Sequence, residues 1–296
     1  MTNEFAYLLG MILGNGEIVR DNQNTQINID IPHKKLETDS CRDIDIYVKA
    51  SLVDINRVLS RLASTNFDIN TGRKSTIFSF QKNNNDYLIQ EILRLTGNVF
   101  KHDYMRMDAS LFTMPADCKR MLLKGIADVT GYIRRSNYAF ANRYEHRAYI
   151  EIPANWYMVV DICNMLKDVD VPVQTIDWAH PNMRDGLLKK YKSGQVNFWK
   201  KEHQIKIFAN EFLKIGFNIK HKNDALQRLA DEEIKGFSDA GRDISATHHF
   251  YWEKSPRKGK VKPPHPGEND AFIPEEIRGQ HFNSWTEIAR KLGYHE

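Results

Sequence analysis

The hydrophobic pattern of the chain occurs twice. Apolar residues have helical spacing in residues 7–18 and again in residues 122–133, and each run passes directly into a strand-like segment. At an offset of 115 residues the two runs share four identities, namely Leu8 with Leu123, Gly10 with Gly125, Gly16 with Gly131 and Ile18 with Ile133. A repeat of this kind predicts two copies of one structural unit.

Capping residues mark the ends of the two helices. Thr2 is the expected N-cap of the first helix, while Thr113 and Pro115 stand where the cap and first residue of the second belong. Gly16 and Gly131 are predicted to close the helices with a positive φ angle.

The segments that follow each helix also correspond. In the first copy the spacing predicts strands at 17–20 and 26–31, a further period-two segment at 43–49, a helix at 51–63, strands at 67–70 and 75–81, and a helix at 86–96. The second copy gives strands at 132–139 and 146–152, a helix at 156–167, strands at 172–178 and 203–208, and helices at 210–216 and 223–234. The fold class is therefore predicted to be α+β, built from tandem αββαββα repeats at 1–100 and 112–235, with a C-terminal extension at 236–296.

Composition is that of an ordinary globular protein. Of 296 residues, 41% are hydrophobic and 27% charged, and no apolar run approaches the ~18 residues of a membrane span. Glu4 stands where a signal peptide would carry a basic residue, so we expect an intracellular protein of a microbial cytoplasm, a phage-infected cell or an organelle matrix. Cys41, Cys118 and Cys163 are too scattered for a disulfide framework or a cysteine zinc site. The net charge of +4 permits nucleic-acid binding.

The paired stretches 8–18 and 123–133 resemble the motif helices of the LAGLIDADG homing endonucleases, and the element order agrees over about residues 1–235. The resemblance implies a monomer whose two motif helices pack closely at a pseudo-two-fold axis through small residues. It also implies that two four-stranded sheets form a saddle over the major groove of double-stranded DNA. The small residues at the expected interface are Gly10, Gly14, Gly125 and Ala127.

The chain departs from the family at the residue before the last motif glycine. In the family this residue is acidic and holds a divalent metal, Mg²⁺ or Mn²⁺, which activates water and stabilises the leaving oxygen. Here the two positions hold Asn15 and Thr130, and hard cations favour charged oxygen ligands. Of the nearby acids, Glu17 lies past the turn and is the better substitute. Asp128 lies about 200° around the helix and is expected to be structural.

The resemblance therefore implies a candidate site with two groups of residues. The candidate catalytic residues are Asn15, Thr130, Glu17, Asp128, Gln81 and Lys82, of which Asn15, Glu17 and Asp128 are the candidate metal ligands. The predicted strands and their loops supply the candidate DNA-binding residues, namely Arg20, Asn22, Gln23, Asn24, Gln26, Asn28, Lys49, Arg73, Lys74, Arg134, Arg135, Asn137, Arg143, His146, Arg147, Gln174, Lys189, Lys190, Lys192, Lys200 and Lys201.

Two of these segments allow two interpretations. The run at 21–26 is rich in Asn and Gln, which pair bidentately with adenine, but it is equally typical of a solvated hairpin loop. The segment at 180–202 is longer than a hairpin needs and has aromatic residues among its lysines. It either lies along the phosphate backbone or is a solvated loop.

The last 60 residues lie outside the resemblance. A basic, proline-rich stretch at 255–266 predicts an extended connector, and residues 283–293 predict a short helix in which Ser284 and Glu287 form a capping box. This helix either contacts DNA or docks on the core through Trp285 and Leu292. The histidines of this region match no standard zinc spacing; they are His248, His249, His265, His281 and His295.

Three function classes remain open from the sequence. The first is a metal-dependent DNA endonuclease with an impaired or altered site, and the second is a non-cutting binder such as a regulator or an RNA-splicing maturase. The third is an α/β protein unrelated to nucleic acids. The loss of both motif carboxylates favours the second class. We predict sequence-specific binding of double-stranded DNA, with RNA as the ligand if the protein is a maturase.

Overall fold

Both repeats are present in the computed structural model, which describes residues 1–39, 43–62, 65–135, 145–178, 202–239, 273–283 and 285–295. The first repeat contains α1 (Asn3–Asn15), β1 (Gly16–Arg20), β2 (Asn24–Pro32), α2 (Ile44–Leu59), β3 (Asp68–Thr71), β4 (Ser75–Asn83) and α3 (Tyr87–Leu95). The second contains α4 (Ala116–Thr130), β5 (Gly131–Arg134), β6 (Arg147–Pro153), α5 (Trp156–Lys167), β7 (Thr175–Asp177), β8 (Glu202–Phe208), α6 (Ala209–Phe212) and α7 (Lys220–Asp239). The short helix α8 (Trp285–Lys291) follows. The predicted α+β class and repeated element order are confirmed.

Each repeat forms one antiparallel sheet of four strands with the same topology. The order is β1-β2-β4-β3 in the first repeat, here called sheet A, and β5-β6-β8-β7 in the second, here called sheet B. Along β2 the residues Thr25, Ile27, Ile29 and Ile31 are buried while those between them are more accessible. Each sheet therefore has an inner face packed on the core and an outer face, which carries the alternate residues.

The two motif helices α1 and α4 pack against each other at close range. A Cβ atom added to Gly10 would overlap the backbone carbonyl of Leu122, and one added to Gly125 would overlap the carbonyl of Tyr7. Only glycine allows the two backbones to approach this closely. The predicted role of these small residues as the contact between the repeats is confirmed.

The ends of the motif helices differ from the sequence predictions in two respects. Gly16 and Gly131 have φ angles of −104° and −97°, so they are extended and already belong to β1 and β5. They are required because a Cβ at Gly16 would lie 2.6 Å from the Ile12 carbonyl oxygen. At the other end Thr2 caps α1 as predicted, but Pro115 itself occupies the cap position of α4. Thr113 does not cap α4, because its hydroxyl donates to the Ser110 carbonyl.

The strand predicted at 43–49 is wrong, since these residues form the start of α2. The Asp43 side chain accepts hydrogen bonds from the backbone N–H groups of Asp45 and Ile46, which caps a helix. The alternation of Asp and Ile suggested period two, but the buried residues Val48, Ile55 and Leu59 follow helical spacing.

The C-terminal helix α8 docks on α5. Ile288, Ala289 and Leu292 are buried, and Asn164 Nδ2 donates to the Gly293 carbonyl at 3.1 Å. Of the two interpretations of this segment, the contacts favour the docked helix. Ser284, the connector at 255–266 and the histidines at 248, 249 and 265 lie outside the described residues, and so does the side chain of Trp285. No helix within the described part of the chain is long and apolar enough to cross a membrane.

Candidate nucleic-acid interface

The outer face of sheet A is polar and accessible. Strand register aligns three polar residues of β2 with three of β4, in the pairs Asn24–Asn83, Gln26–Gln81 and Asn28–Ser79. These six residues are here called the amide ladder, and all are exposed or half-buried. Within it Gln26 Nε2 donates to Asn28 Oδ1 at 2.9 Å.

The turn between β1 and β2 is held in place by hydrogen bonds. Asp21 Oδ1 accepts from the backbone N–H groups of Asn24 at 2.7 Å and Gln23 at 2.8 Å, and these bonds lower the pKa of Asp21. The buried Asn84 donates to the Asp21 carbonyl and accepts from the Thr25 hydroxyl. The run at 21–26 is therefore an ordered hairpin that continues into the amide ladder.

Four cations surround this face and have no carboxylate partner among the described residues. Arg20 ends β1, Arg73 and Lys74 lie in the β3–β4 turn, and Lys101 lies beside β1; all four are exposed. None of them forms an ion pair with another described residue. We call them the rim cations. Their charges are available to an external anion.

An open groove of about 690 Å³ lies at the C-terminal end of α1, beside the amide ladder. Its walls are the end of the motif helix, the centre of sheet A and the segment that runs along the free edge of β1, where the Ile18 N–H donates to the Phe100 carbonyl at 2.9 Å. The groove is lined by Asn15, Gly16, Glu17, Gln26, Asn28, Asp30, Asn70, Ile77, Ser79, Lys101, His102 and Asp103.

Four polar residues in the groove define its chemistry. Asn15 Nδ2 donates to the Asp30 carbonyl at 2.7 Å, which holds the amide against β2. One carboxylate oxygen of Asp30 is buried and has no hydrogen-bond partner among the described residues. The same holds for both ring nitrogens of His102, whose side chain is 10% exposed. Glu17 is exposed on β1.

The corresponding position at the end of α4 is closed. The Thr130 side chain is 3% exposed, and its hydroxyl donates to the Ile126 carbonyl at 2.7 Å. In place of Glu17 stands Tyr132, whose hydroxyl donates to Glu151 Oε1 at 2.8 Å. Gln204 Nε2 donates to the same oxygen at 2.8 Å, and Lys35 of the first repeat pairs with the other oxygen. The closed network is the name used here for Lys35, Tyr132, Glu151 and Gln204. Lys35, Tyr132 and Gln204 are buried, and the Glu151 side chain is 14% exposed.

The closed network fixes a buried charge. Burial alone would raise the pKa of Glu151, but the neighbouring Lys35 ammonium and three hydrogen bonds outweigh burial and lower this pKa to about 2. The Lys35 side chain is only 6% exposed and also lies over the Tyr132 ring. Glu151 is thus a carboxylate whose negative charge is compensated inside the protein.

Asp128 does not reach either helix end. It is fully buried and accepts from the Tyr7 hydroxyl at 2.7 Å and from the Asn218 N–H at 3.1 Å. Its candidate role as metal ligand and catalytic acid is therefore wrong, and the expected structural role is the one its contacts support. Nearby, Lys222 Nζ donates to the carbonyls of Ala127, Asp128 and Gly131 and so caps α4 from inside. Burial lowers the pKa of Lys222 to about 7.

Three other predicted residues do not lie on an outer face. Lys49 is on helix α2 rather than on a strand. His146 is 4% exposed, and burial lowers its pKa. Lys82 is on the inner side of β4 and forms an ion pair with Asp86 at 3.3 Å, and its place near the scissile phosphates stays a prediction. Gln81, by contrast, is exposed on the outer face opposite Gln26.

The predicted DNA-binding residues of the second repeat are engaged within the protein. Arg135 pairs with Glu232 at 2.7 Å, and Arg147 pairs with Glu145 at 3.0 Å. The guanidinium of Arg147 also donates to Gln174, and that of Arg134 lies over the Tyr132 ring. The remaining predicted residues lie outside the described part of the chain; they are Asn137, Arg143, Lys189, Lys190, Lys192, Lys200 and Lys201.

Sequence reasoning missed several residues of the two helix ends. Asp30 was detectable in principle, because it has the same alternation as Gln26 and Asn28 on β2. Lys101 and His102 reach the groove from the segment between the repeats, and no local sequence pattern predicts that they line it. Lys35 and Glu151 are 116 residues apart, so only the tertiary fold brings them together.

The divalent metal site implied by the family resemblance does not fit these residues. At α4 the Thr130 hydroxyl and the Glu151 carboxylate are already engaged, and at α1 Asn15 offers a neutral amide. Within the described ranges, no group of three or more His, Cys, Asp or Glu side chains is arranged to hold a metal ion. Glu17 faces the groove, and its role as a ligand stays a prediction.

Comparison with known proteins gives structural matches only. No protein-family model and no curated protein matches the chain. Similar solved structures include I-DmoI in complex with DNA and Mn (TM-score 0.38, 12% identity, 75% of this chain and 96% of that chain covered). They also include the homing endonuclease I-GzeII in complex with its DNA target (TM-score 0.39, 8% identity, 80% and 92% covered). The N-terminal LAGLIDADG domain of WhiA is a third (TM-score 0.34, 11% identity, 79% and 82% covered). The solved structures to which this chain is similar thus include LAGLIDADG proteins, the family that its two motif helices resemble.

Proposed function

We propose that the protein binds double-stranded DNA in a sequence-specific manner through the outer faces of its sheets, as a monomeric saddle that does not cut both strands. The observation that carries this proposal is the outer face of sheet A. There the amide ladder presents hydrogen-bonding side chains at regular intervals, and the rim cations surround them. Base edges are read by such polar side chains, while the phosphates are bound by cations.

The geometry of a strand suits this task. A two-stranded β-ribbon fits the DNA major groove, which is about 12 Å wide. The ribbon β2–β4 has nine aligned residue pairs and carries the whole amide ladder. The rim cations lie at the ends and edges of the same sheet. When β2 and β4 lie in the DNA major groove, these positions are close to the phosphates on either side of it. Contacts of this kind make affinity fall steeply with salt.

Both helix ends support binding without double-strand cleavage. In two-metal cleavage the metal ions stabilise both the attacking and the leaving oxygen, and such ions need carboxylate ligands to hold them. Asn15 and Thr130 replace the acids at the two motif positions, and the only carboxylate described beside Thr130 in the closed network is already paired with Lys35.

The function is tested by selecting bound duplexes from a random-sequence pool and then titrating the enriched site at increasing NaCl. We expect enrichment of one site and a linear fall of log affinity with log salt concentration, with a slope corresponding to several phosphate contacts. The enriched duplex is then incubated with Mg²⁺ or Mn²⁺, and we expect both strands to stay intact.

Each part of the proposal has its own contrary result. Failure to enrich any duplex would contradict DNA binding and make single-stranded RNA the next ligand, as expected for a maturase. Cleavage of the enriched site would instead place the protein among metal-dependent endonucleases with an altered site, and Glu17 and Asp30 would then be the acids to replace. Cutting of one strand only would assign the activity to the open groove.

A further inference from the structure

The outer face of sheet A carries no lysine or arginine. In the fully described strands β1 to β4, the outward positions are held by amides, hydroxyls, carboxylates, Pro32 and two exposed aliphatic residues. The apolar pair is Val19, 48% exposed, and Ile77, 39% exposed. The strand register alone places Lys82 on the inner side and Arg20 at the strand end. This face therefore has no side chain that can donate two hydrogen bonds from one cation.

An outer face with amide side chains and no cations is expected to prefer adenine to guanine. In the major groove guanine presents two acceptors, which are best bound by the paired donors of arginine, whereas adenine presents one acceptor and one donor. An Asn or Gln amide has one acceptor and one donor group and matches adenine. In sheet A the bond from Gln26 to Asn28 uses one of the two Gln26 Nε2 hydrogens and leaves the second hydrogen and the carbonyl oxygen of Gln26 for adenine.

An apolar neighbour of the amide ladder points to the same base pairs. Apolar side chains contact the methyl group of thymine, the partner of adenine, and Val19 lies next to Gln26 in the register. Glu17 and Asp68 flank the Asn28–Ser79 pair. Ionised carboxylates only accept hydrogen bonds and can accept from the amino group of either adenine or cytosine, so these two residues do not distinguish A·T from G·C pairs.

The spacing of the amide ladder matches the spacing of bases. Outward residues on an antiparallel strand recur every ~6.8 Å, which is twice the ~3.4 Å rise of a DNA strand. Asn24, Gln26 and Asn28 would therefore meet every second base pair. The three residue pairs of the amide ladder together span about five base pairs.

We propose that sheet A binds a run of about five A·T-rich base pairs, with Gln26 and Gln81 hydrogen-bonded to adenine and Val19 against a thymine methyl group. This specificity rests on the proposed duplex binding. It concerns only the half-site under sheet A and leaves the base preference of sheet B open.

The inference is tested on the duplex enriched from a random pool. Each adenine of the site is replaced in turn by 7-deazaadenine, which lacks the N7 acceptor, and affinity is measured by fluorescence anisotropy. We expect at least one adenine in an A·T-rich run at which the replacement weakens wild-type binding by about 5- to 150-fold, the range of one good bidentate contact. In the Gln26→Ala variant that replacement should have little further effect. The control Gln227→Ala removes an exposed Gln on α7 and should respond as the wild type does.

A second variant is expected to change the base pair that the residue at position 26 prefers. Gln26→Arg introduces the paired donors that guanine requires, so selection with this variant should exchange A·T for G·C at one position of the run. An enriched site with no A·T run, or an unchanged site for Gln26→Arg, would overturn this inference while duplex binding stands. Enrichment of no duplex by the wild type would overturn duplex binding itself.

Discussion

The ends of the two motif helices occupy equivalent places in the two repeats but have opposite properties. At α1 the groove is open and contains Asp30, one of whose carboxylate oxygens has no hydrogen-bond partner in the described part of the chain. At α4 the equivalent of Asp30 in the strand register is Glu151, which is enclosed by the closed network. One repeat therefore has an accessible groove at this position, while in the other the equivalent carboxylate is held by an ion pair and hydrogen bonds.

The cations of the two repeats also differ in whether they form ion pairs. The rim cations of sheet A have no ion-pair partner among the described residues. On sheet B the described cations Arg147 and Lys206 are paired with Glu145 and Asp177, and Arg135 is paired with Glu232. A cation that already has a partner gains less from a phosphate. We therefore expect the described part of sheet A to contribute more to DNA affinity than that of sheet B.

The largest expected effect comes from breaking the closed network. Lys35→Ala leaves the Glu151 charge buried without its partner, which should lower the free energy of unfolding by about 3–5 kcal/mol. The neighbouring Lys34 is a matched control, because it is exposed and lies 3.8 Å from Glu202. Lys34→Ala should change stability by no more than about 1 kcal/mol. Urea denaturation of the two variants measures the difference, and equal effects would show that the closed network is not a stabilising element.

The pH dependence of stability should report on the same carboxylate. The pKa of Glu151 is lowered from 4.5 to about 2 in the folded protein, so its contribution is fully present above pH 4.5 and is lost as the pH falls toward 2. The amount lost is on the order of 3 kcal/mol. Denaturation at pH 6 and pH 3 should therefore show a larger acid-induced loss for the wild type than for Glu151→Gln. Parallel losses in the two proteins would contradict the assignment.

An Asp at the motif position should destabilise the protein more at the end of α4 than at the end of α1. The difference in free energy of unfolding should be smaller than the two effects above. Thr130→Asp places a carboxylate at a buried position, while Asn15→Asp places one at a half-buried position and removes the hydrogen bond to the Asp30 carbonyl. We expect Thr130→Asp to cost about 2 kcal/mol more than Asn15→Asp. Thermal or urea unfolding provides the comparison. If Thr130→Asp were the milder substitution, the end of α4 would not be closed in solution.

The sequence predicted the order of helices and strands because that order depends on local spacing. Where the spacing of apolar residues was compatible with both helix and strand, tertiary contacts determined which one formed, as in residues 43–49. Their Asp and Ile alternate as in a strand, yet Asp43 caps a helix. The candidate site was harder to predict, since its decisive contacts join distant residues. Tyr7 meets Asp128 across 121 positions, and this contact removes Asp128 from the site.

The amide ladder was the part of the site that the sequence predicted best. Asn24, Gln26 and Asn28 follow strict alternation on β2, so their common face was visible from the sequence. The partners of that face were not, because the register with β4 depends on a strand about 50 residues later. Lys82 illustrates the limit, since one position along β4 separates an outward Gln81 from an inward Lys82.

The central claim is that the outer face of sheet A contacts duplex DNA. It is tested most directly by placing a negative charge on that face and measuring affinity for the enriched duplex by fluorescence anisotropy. Gln81→Glu should weaken binding by at least about tenfold, because a carboxylate would oppose the phosphates, while stability changes by no more than about 0.5 kcal/mol. The control Gln227→Glu, with the same change of charge on α7, should bind as the wild type does. Equal affinities for the wild type, Gln81→Glu and Gln227→Glu would contradict the account.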